Sequence, residues 1–182
     1  MCSFDLEDER AGQYGVSLYL AERKGGYAMK AKTRLFGEIE IDESKIITFI
    51  NGMVGFPDMK KFTILYDNEK EGKGNIMWFQ SLDEPSFAMP VMQPNVIMPD
   101  YNPIVNDELI SPLGEFTEDN LYVLVTVTVP SDITKMTANM KGPIIINTDT
   151  LLASQIVVEN DMQVRFPIYE LLKARKEEKA GE

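Results

Sequence analysis

Residues 121–129 read LYVLVTVTV, the longest apolar stretch in this 182-residue chain. β-Branched and aromatic side chains dominate it, and these residue types are enriched in β-strands. The stretch is far shorter than the ~20 apolar residues that a membrane-spanning helix needs. It therefore predicts a β-strand and not a membrane span.

Segments of the same character lie on both sides of this stretch. Residues 33–41, TRLFGEIEI, alternate Leu35, Gly37, Ile39 and Ile41 with polar or aromatic residues, which predicts one strand with one buried face. Turn-forming residues separate the other segments, and the polar residues 67–74 (DNEKEGKG) predict a hairpin loop. The further predicted strands are KIITFI (45–50), FTILY (62–66), NIMWFQSL (75–82), SFAMPVM (86–92), GPIIIN (142–147) and LLASQIVV (151–158).

Helix is predicted only in short pieces. Seven prolines between positions 57 and 112 exclude a long helix there, although residues 106–110 can form one helical turn. Ile168, Leu171, Leu172 and Arg175 follow the spacing of an amphipathic helix. The sequence thus predicts a mostly β, antiparallel single domain, shaped as a closed or partly open β-barrel, with a short C-terminal α-helix. Closure is expected because it hides the edges of so many strands.

The chain divides into three unequal parts. Residues 1–28 carry many charges and no sustained apolar period, which predicts an N-terminal extension that is poorly ordered or results from an upstream start. Residues 29–172 hold the predicted strands and form the β domain. Residues 173–182 form a charged C-terminal tail that continues the last helix.

Composition excludes several classes of function. The chain has 29 Asp and Glu against 18 Lys and Arg, a net charge of −11, which argues against direct nucleic-acid binding. It has no histidine and a single cysteine, Cys2, so His-based catalysis, a metal site built on His or Cys, and an internal disulfide are all excluded. The acidic first residues do not form a secretory signal. We therefore expect a cytoplasmic protein without membrane contact. No cofactor, bound metal or catalytic residue is assigned, although composition alone does not exclude carboxylate chemistry.

Glycine-containing turns and paired carboxylates are the two remaining signals of a chemical site in the sequence. Gly52 and Gly55 match neither a phosphate-binding loop nor a dinucleotide fingerprint, so both are interpreted as turn glycines. Three adjacent carboxylate pairs can in principle act as acid and base or bind magnesium, which leaves a metal-assisted hydrolase as an alternative. Surface acids are the favoured interpretation of these pairs: Asp83–Glu84, Asp107–Glu108 and Glu118–Asp119.

The most informative feature is a charge asymmetry. Residues 75–134 contain no Lys or Arg, whereas nine acids occur there. Ordinary solubility is one explanation, and a surface that attracts a basic partner is the other. The nine acids are Asp83, Glu84, Asp100, Asp107, Glu108, Glu115, Glu118, Asp119 and Asp132.

Methionine is also frequent in this region. Met77 and Met89 lie within predicted strands and are assigned to the core. Met92 and Met98 lie in the proline-spaced segment VMQPNVIMPD (91–100), which predicts an exposed apolar lip. Methionine is common at surfaces that bind apolar helices because its side chain is flexible and polarizable.

The order and the amino-acid sequences of these segments resemble those of the FliW family of bacterial flagellar assembly factors. The resemblance runs from about residue 29 to residue 172, and residues 1–28 fall outside it. The segments that carry it are FINGMVGFP (49–57), Phe62, WFQSLDEP (78–85), FAMPV (87–91), VTVTVP (125–130), MTANMKGPIIIN (136–147) and QIV (155–157).

The resemblance implies a non-enzymatic protein with two alternative partners. These are flagellin and CsrA, an RNA-binding repressor of flagellin translation, so flagellin export would free the protein to bind CsrA and relieve repression. We hypothesise that CsrA contacts the acids Asp83, Glu84, Asp107, Glu108, Glu118 and Asp119. We further hypothesise that a terminal helix of flagellin contacts an apolar patch of Met92, Val96, Ile97 and Met98. A passive acidic structural subunit remains a second alternative.

Overall fold

The computed structural model describes residues 14–16, 27–67 and 75–180. Most of the predicted N-terminal extension and residues 68–74 of the predicted hairpin loop lie outside the described residues, so those predictions stay predictions. Among the described residues, no helix is long and apolar enough to cross a membrane.

The described residues form twelve strands and two α-helices, joined by turns and short 3-10 segments. Helix α1 spans Asp107–Ile110 and helix α2 spans Tyr169–Ala180. The strands are β1 (Tyr14–Val16), β2 (Ala28–Thr33), β3 (Gly37–Asp42), β4 (Ile47–Phe49), β5 (Lys61–Asp67), β6 (Met77–Ser81), β7 (Ala88–Met92), β8 (Leu121–Thr128), β9 (Thr137–Ala138), β10 (Ile144–Asn147), β11 (Leu152–Gln155) and β12 (Phe166–Pro167).

Seven of these strands close into a barrel, which confirms the predicted fold class. The neighbours around the barrel are β8, β10, β11, β4, β5, β6 and β7, and β7 pairs again with β8. All of these pairs are antiparallel except β11 with β4. Closure leaves no free edge in this ring, which removes the sites at which open sheets aggregate.

Strand β8, the longest apolar stretch of the sequence, makes the closure possible. Its C-terminal half pairs with β7, where Val91 lies opposite Thr126, and its N-terminal half pairs with β10, where Asn147 lies opposite Leu121. The last two residues of β8, Val127 and Thr128, also pair with β9. The short strand β1 adds to β5 beyond the end of β4, with Tyr14 opposite Asp67.

Aromatic side chains fill the barrel. Phe49, Phe62 and Phe79 are completely buried, and the rings of Phe62 and Phe79 stack with centroids 4.7 Å apart and an interplanar angle of 4°. Leu124, Ile144 and Ile146 pack against them from the β8–β10 side. Met77 and Met89 pack partly buried against this core, as the sequence predicts.

The prediction of a single strand over residues 33–41 is wrong. The segment contains a turn at Arg34–Phe36 that joins β2 to β3 in a separate two-stranded hairpin. Gly37 has φ +69° next to this turn, and Leu35 is exposed instead of facing a core. The hairpin lies beside β6, since the ring of Phe36 contacts that of Trp78 edge-on at 6.2 Å.

Both predicted helical segments are confirmed. Asn106 caps α1 by accepting a hydrogen bond from the N–H of Glu108. Helix α2 covers a second apolar cluster, in which Met92, Ile97, Val125 and Ile168 are buried. Tyr169 and Leu172 of α2 pack on this cluster, and the Arg175 guanidinium donates a hydrogen bond to the carbonyl oxygen of Val96. Helix α2 thus packs on the outside of the segment that follows β7, residues 93–98.

Candidate functional site

Asp83 and Glu84 lie in the turn between β6 and β7. The Asp83 carboxylate accepts hydrogen bonds from the backbone N–H groups of Lys60 and Lys61, at 2.6 and 2.7 Å. Lys61 begins β5 and Lys60 directly precedes it, so Asp83 holds the turn between β6 and β7 against the start of the neighbouring strand. Although its side chain is exposed, Asp83 has a structural role that the sequence pattern does not show.

Glu84 is engaged within its own turn. Its carboxylate accepts hydrogen bonds from the Ser86 hydroxyl at 2.6 Å and from the Ser86 N–H at 3.2 Å. These hydrogen bonds, the hydroxyl bond above all, lower the pKa of Glu84 below its usual range. The side chain therefore remains a negative charge on the surface at any pH near neutrality.

The other four predicted acids lie in the long connection between β7 and β8. Asp107 and Glu108 form the first turn of α1, where a negative charge favours the helix N-terminus. Glu118 and Asp119 lie in the turn that leads into β8. All four are exposed.

The structure does not bring the six acids together. Because Val91 pairs with Thr126, the turn with Asp83 and Glu84 lies toward the C-terminal end of β8, whereas Glu118 and Asp119 precede its N-terminal end. At about 3.3 Å per residue, the eight residues of β8 separate the two sets by roughly 25 Å. The acids therefore present separate negative regions instead of one focused patch.

The predicted exposure is wrong for Met92 of the apolar lip and for Ile97 of the hypothesised flagellin patch. Met92 is completely buried and Ile97 is 8% exposed, while Val96 and Met98 are half-buried. The physical reason is long-range packing, because α2 and β8 supply the side chains that cover this segment. Met92 and Ile97 are thus core residues in this conformation.

A groove that the sequence did not indicate lies on the other side of the same segment. It has a volume of about 340 Å³ and runs between residues 93–105 and residues 110–121. Val123 of β8 and Ile145 of β10 line it, together with Tyr101, Val105, Phe116 and Leu121. The available signal was two large apolar residues in the connection between β7 and β8, Ile104 and Leu109, which are both about half exposed.

Tyr101 joins the groove to the core. Its hydroxyl donates a hydrogen bond of 2.8 Å to the carbonyl oxygen of Met140, and burial raises the pKa of Tyr101 to about 12. The ring is therefore a neutral, fixed part of the groove wall and not an acid or base for catalysis.

A metal-assisted hydrolase receives no support from this geometry. Within the described ranges, no group of three or more His, Cys, Asp or Glu residues could hold a metal ion. The carboxylate of Asp83, a member of one predicted pair, already accepts hydrogen bonds from two backbone amides.

Gly52 and Gly55 have φ values of +72° and +86°, which confirms them as turn glycines.

Comparisons with known proteins agree on one family. A sequence model described as FliW protein matches residues 30–168 of the chain. The chain is 51% identical over 147 residues to the flagellar assembly factor FliW of Lachnospira eligens, an alignment that covers 80% of this chain and 97% of that protein. It is 49% identical over 155 residues to the flagellar assembly factor FliW of Lachnoclostridium phytofermentans, covering 85% of this chain and 99% of that protein.

The barrel also has a counterpart among solved structures. The crystal structure of a flagellar assembly factor FliW superimposes with a TM-score of 0.70 at 25% sequence identity. The alignment covers 78% of this chain and 97% of that structure.

Proposed function

Because the chain belongs to the FliW family of flagellar assembly factors, we propose that it is a non-enzymatic cytoplasmic protein that binds flagellin and CsrA as alternative partners. The observation that carries the proposal is the family match over residues 30–168, which includes every strand of the closed barrel. In this scheme flagellin occupies the protein while it accumulates. Export of flagellin frees the protein to bind CsrA and to relieve repression of flagellin translation.

The surface charge supports a basic partner. All nine acids between residues 75 and 134 are exposed, and no Lys or Arg lies among them in the sequence. An RNA-binding repressor carries basic surface, and charge of one sign speeds encounter with such a partner more than it raises affinity. We assign CsrA contacts to Asp107, Glu108, Glu118 and Asp119, with Asp83 and Glu84 as a second, separate contact region.

The flagellin contact is proposed at the margin of the cluster beneath α2. Val96 and Met98 are half-buried there and offer apolar surface next to α2. Met92 and Ile97 become accessible to a partner helix only where α2 moves aside. A Met92→Asp variant is unsuitable as a test, because a charge at a completely buried position unfolds the protein before it reports on binding.

Partner switching needs no chemistry beyond competing affinities. A ligand shifts an equilibrium only by its differential affinity for the two states, and a tenfold difference corresponds to about 1.4 kcal/mol. If the two complexes exclude each other, flagellin displaces CsrA when the ratio of its free concentration to its Kd exceeds the same ratio for CsrA.

The proposal is tested with the purified chain, purified flagellin and purified CsrA in size-exclusion chromatography at low and high salt. We expect a complex with each partner, displacement of CsrA by added flagellin, and a CsrA complex that weakens as salt rises. A stable assembly containing all three proteins without antagonism contradicts partner switching. A permanent complex with one basic protein that ignores free flagellin instead favours a passive structural subunit.

A further inference from the structure

The walls of the groove between residues 93–105 and 110–121 are fixed by side-chain hydrogen bonds. Asn160 accepts a hydrogen bond from the N–H of Ile104 and donates one to the carbonyl oxygen of Asn102 at 3.1 Å. On the opposite wall, Asn120 and Asn147 both donate to the carbonyl oxygen of Glu115, at 3.1 and 3.0 Å. Both of these asparagines are buried, at 5% and 0% exposure.

This arrangement makes the groove a preformed site. Buried side-chain amides are costly unless they are hydrogen-bonded, and on the second wall Asn120 and Asn147 meet this requirement. The half-buried Asn160 holds the first wall in place. A site whose walls are already ordered loses less conformational entropy when a partner binds. Leu121, the first residue of β8, lines the groove and is 46% exposed.

Charge around the groove is strongly one-sided. Its second wall and the flanking turns carry Asp107, Glu108, Glu115, Glu118 and Asp119, all exposed. Among the described residues, Lys141 and Arg175 lie near the first wall, residues 93–105, and both donate hydrogen bonds to backbone carbonyl oxygens. Lys141 donates to the carbonyl oxygen of Asn160 at 2.6 Å, and Arg175 donates to that of Val96.

From this geometry we infer that the groove docks a short protein segment that presents large aliphatic side chains to Phe116, Leu121 and Val123 and carries Lys or Arg residues beside them. The apolar floor provides the anchoring contacts, and the acids on the second wall select for the basic flanks. This inference deepens the proposed function and rests on it, since it specifies where a basic partner binds.

The first test uses a synthetic probe, a 16-residue amphipathic helical peptide with leucines on one face and lysines at both ends. Its titration into the ¹⁵N-labelled full chain is followed by two-dimensional amide NMR. We expect the largest shifts at residues 93–95, 101–105, 116 and 121–123. A peptide with glutamates in place of the lysines is expected to bind at least tenfold more weakly. Shifts centred elsewhere, or equal binding of both peptides, overturn the inference.

The second test compares two matched variants by fluorescence anisotropy with the same peptide. Leu121→Asp places a charge in the groove, and Leu171→Asp does the same on α2, where the leucine is similarly exposed at 42% against 46%. We expect about a tenfold loss of affinity for Leu121→Asp, the loss typical of one large aliphatic contact, and less than a twofold change for Leu171→Asp. Equal effects overturn the inference, and the NMR map of the unaltered chain decides the matter if Leu121→Asp does not fold.

The same variants separate the docking site from the proposed function. Binding of flagellin and CsrA is measured for the unaltered chain and for Leu121→Asp. If the unaltered chain binds neither partner, the proposed function fails. If it binds both, and Leu121→Asp binds both equally well, the groove inference fails while the proposed function stands.

Discussion

At the scale of single residues, the backbone leaves very little room for a side chain at Gly52. Its φ is +72°, and a Cβ atom there would lie 2.2 Å from the carbonyl oxygen of Pro57. Gly55, three residues along, has φ +86° but open space where its Cβ would lie. Gly55→Ala is expected to cost about 1–2 kcal/mol for the left-handed conformation alone.

Gly52→Ala adds a backbone clash to the same conformational cost, so we expect a loss of at least about 3 kcal/mol in the free energy of unfolding. Urea denaturation of both variants measures the difference. Similar losses for the two would mean that the Asn51–Pro57 turn yields easily and that the close approach is unimportant.

Other single residues show why the sequence predicts that a residue is charged or apolar but not which groups it contacts. The sequence predicts Asp83 at the surface, where it lies, yet its hydrogen bonds reach Lys60 and Lys61, which are 23 and 22 residues away. The sequence predicts an exposed Met92 because this residue lies in the proline-spaced segment 91–100. Its burial depends on side chains of β8 and α2, more than thirty residues away, which no local pattern contains.

At the scale of elements, the local sequence pattern predicts a strand correctly wherever the residue types of that strand alone determine its conformation. The strands β4 to β8, β10 and β11 each fall inside a segment predicted from β-branched and aromatic residues or overlap it closely. The failure at residues 33–41 has a physical cause. The alternating pattern predicts Gly37 as an inward-facing strand residue, whereas its freedom at positive φ serves the turn between β2 and β3.

Helix α2 allows a prediction at the same scale, because adjacent leucines face different surroundings. Leu172 packs against the cluster that contains Met92 and Ile97, whereas Leu171 is 42% exposed. Leu172→Ala is expected to reduce the free energy of unfolding by about 1–2 kcal/mol, less than for a fully buried leucine. Leu171→Ala is expected to change it by less than about 0.5 kcal/mol.

Thermal and urea denaturation measure both variants. Equal values would show that α2 does not pack on the barrel in solution. In that case Val96 and Met98 would be freely available to a partner helix, and the proposed flagellin contact would not require α2 to move.

At the scale of the whole molecule, the two proposed contact surfaces share one segment of chain. Residues 93–95 and 101–105 line the groove, while Val96 and Met98 between them pack beneath α2. A partner bound at either surface therefore contacts the connection that also forms the other. This continuity offers a structural basis for mutual exclusion, because two bulky partners on one short segment obstruct each other.

The distribution of charge provides the last test of this arrangement. Glu118→Lys with Asp119→Lys, and separately Glu177→Lys with Glu178→Lys, each replace two exposed acids with two lysines, so the net charge rises by 4, from −11 to −7. If the region beside the groove guides a basic partner, the first pair is expected to slow CsrA association at low salt by about tenfold and the second by only a few-fold. Stopped-flow fluorescence measures both rates, and the difference is expected to shrink at 1 M salt, where the Debye length falls to about 3 Å. Equal slowing by both pairs would mean that net charge alone attracts the partner, and that the acids beside the groove have no special part in its recognition.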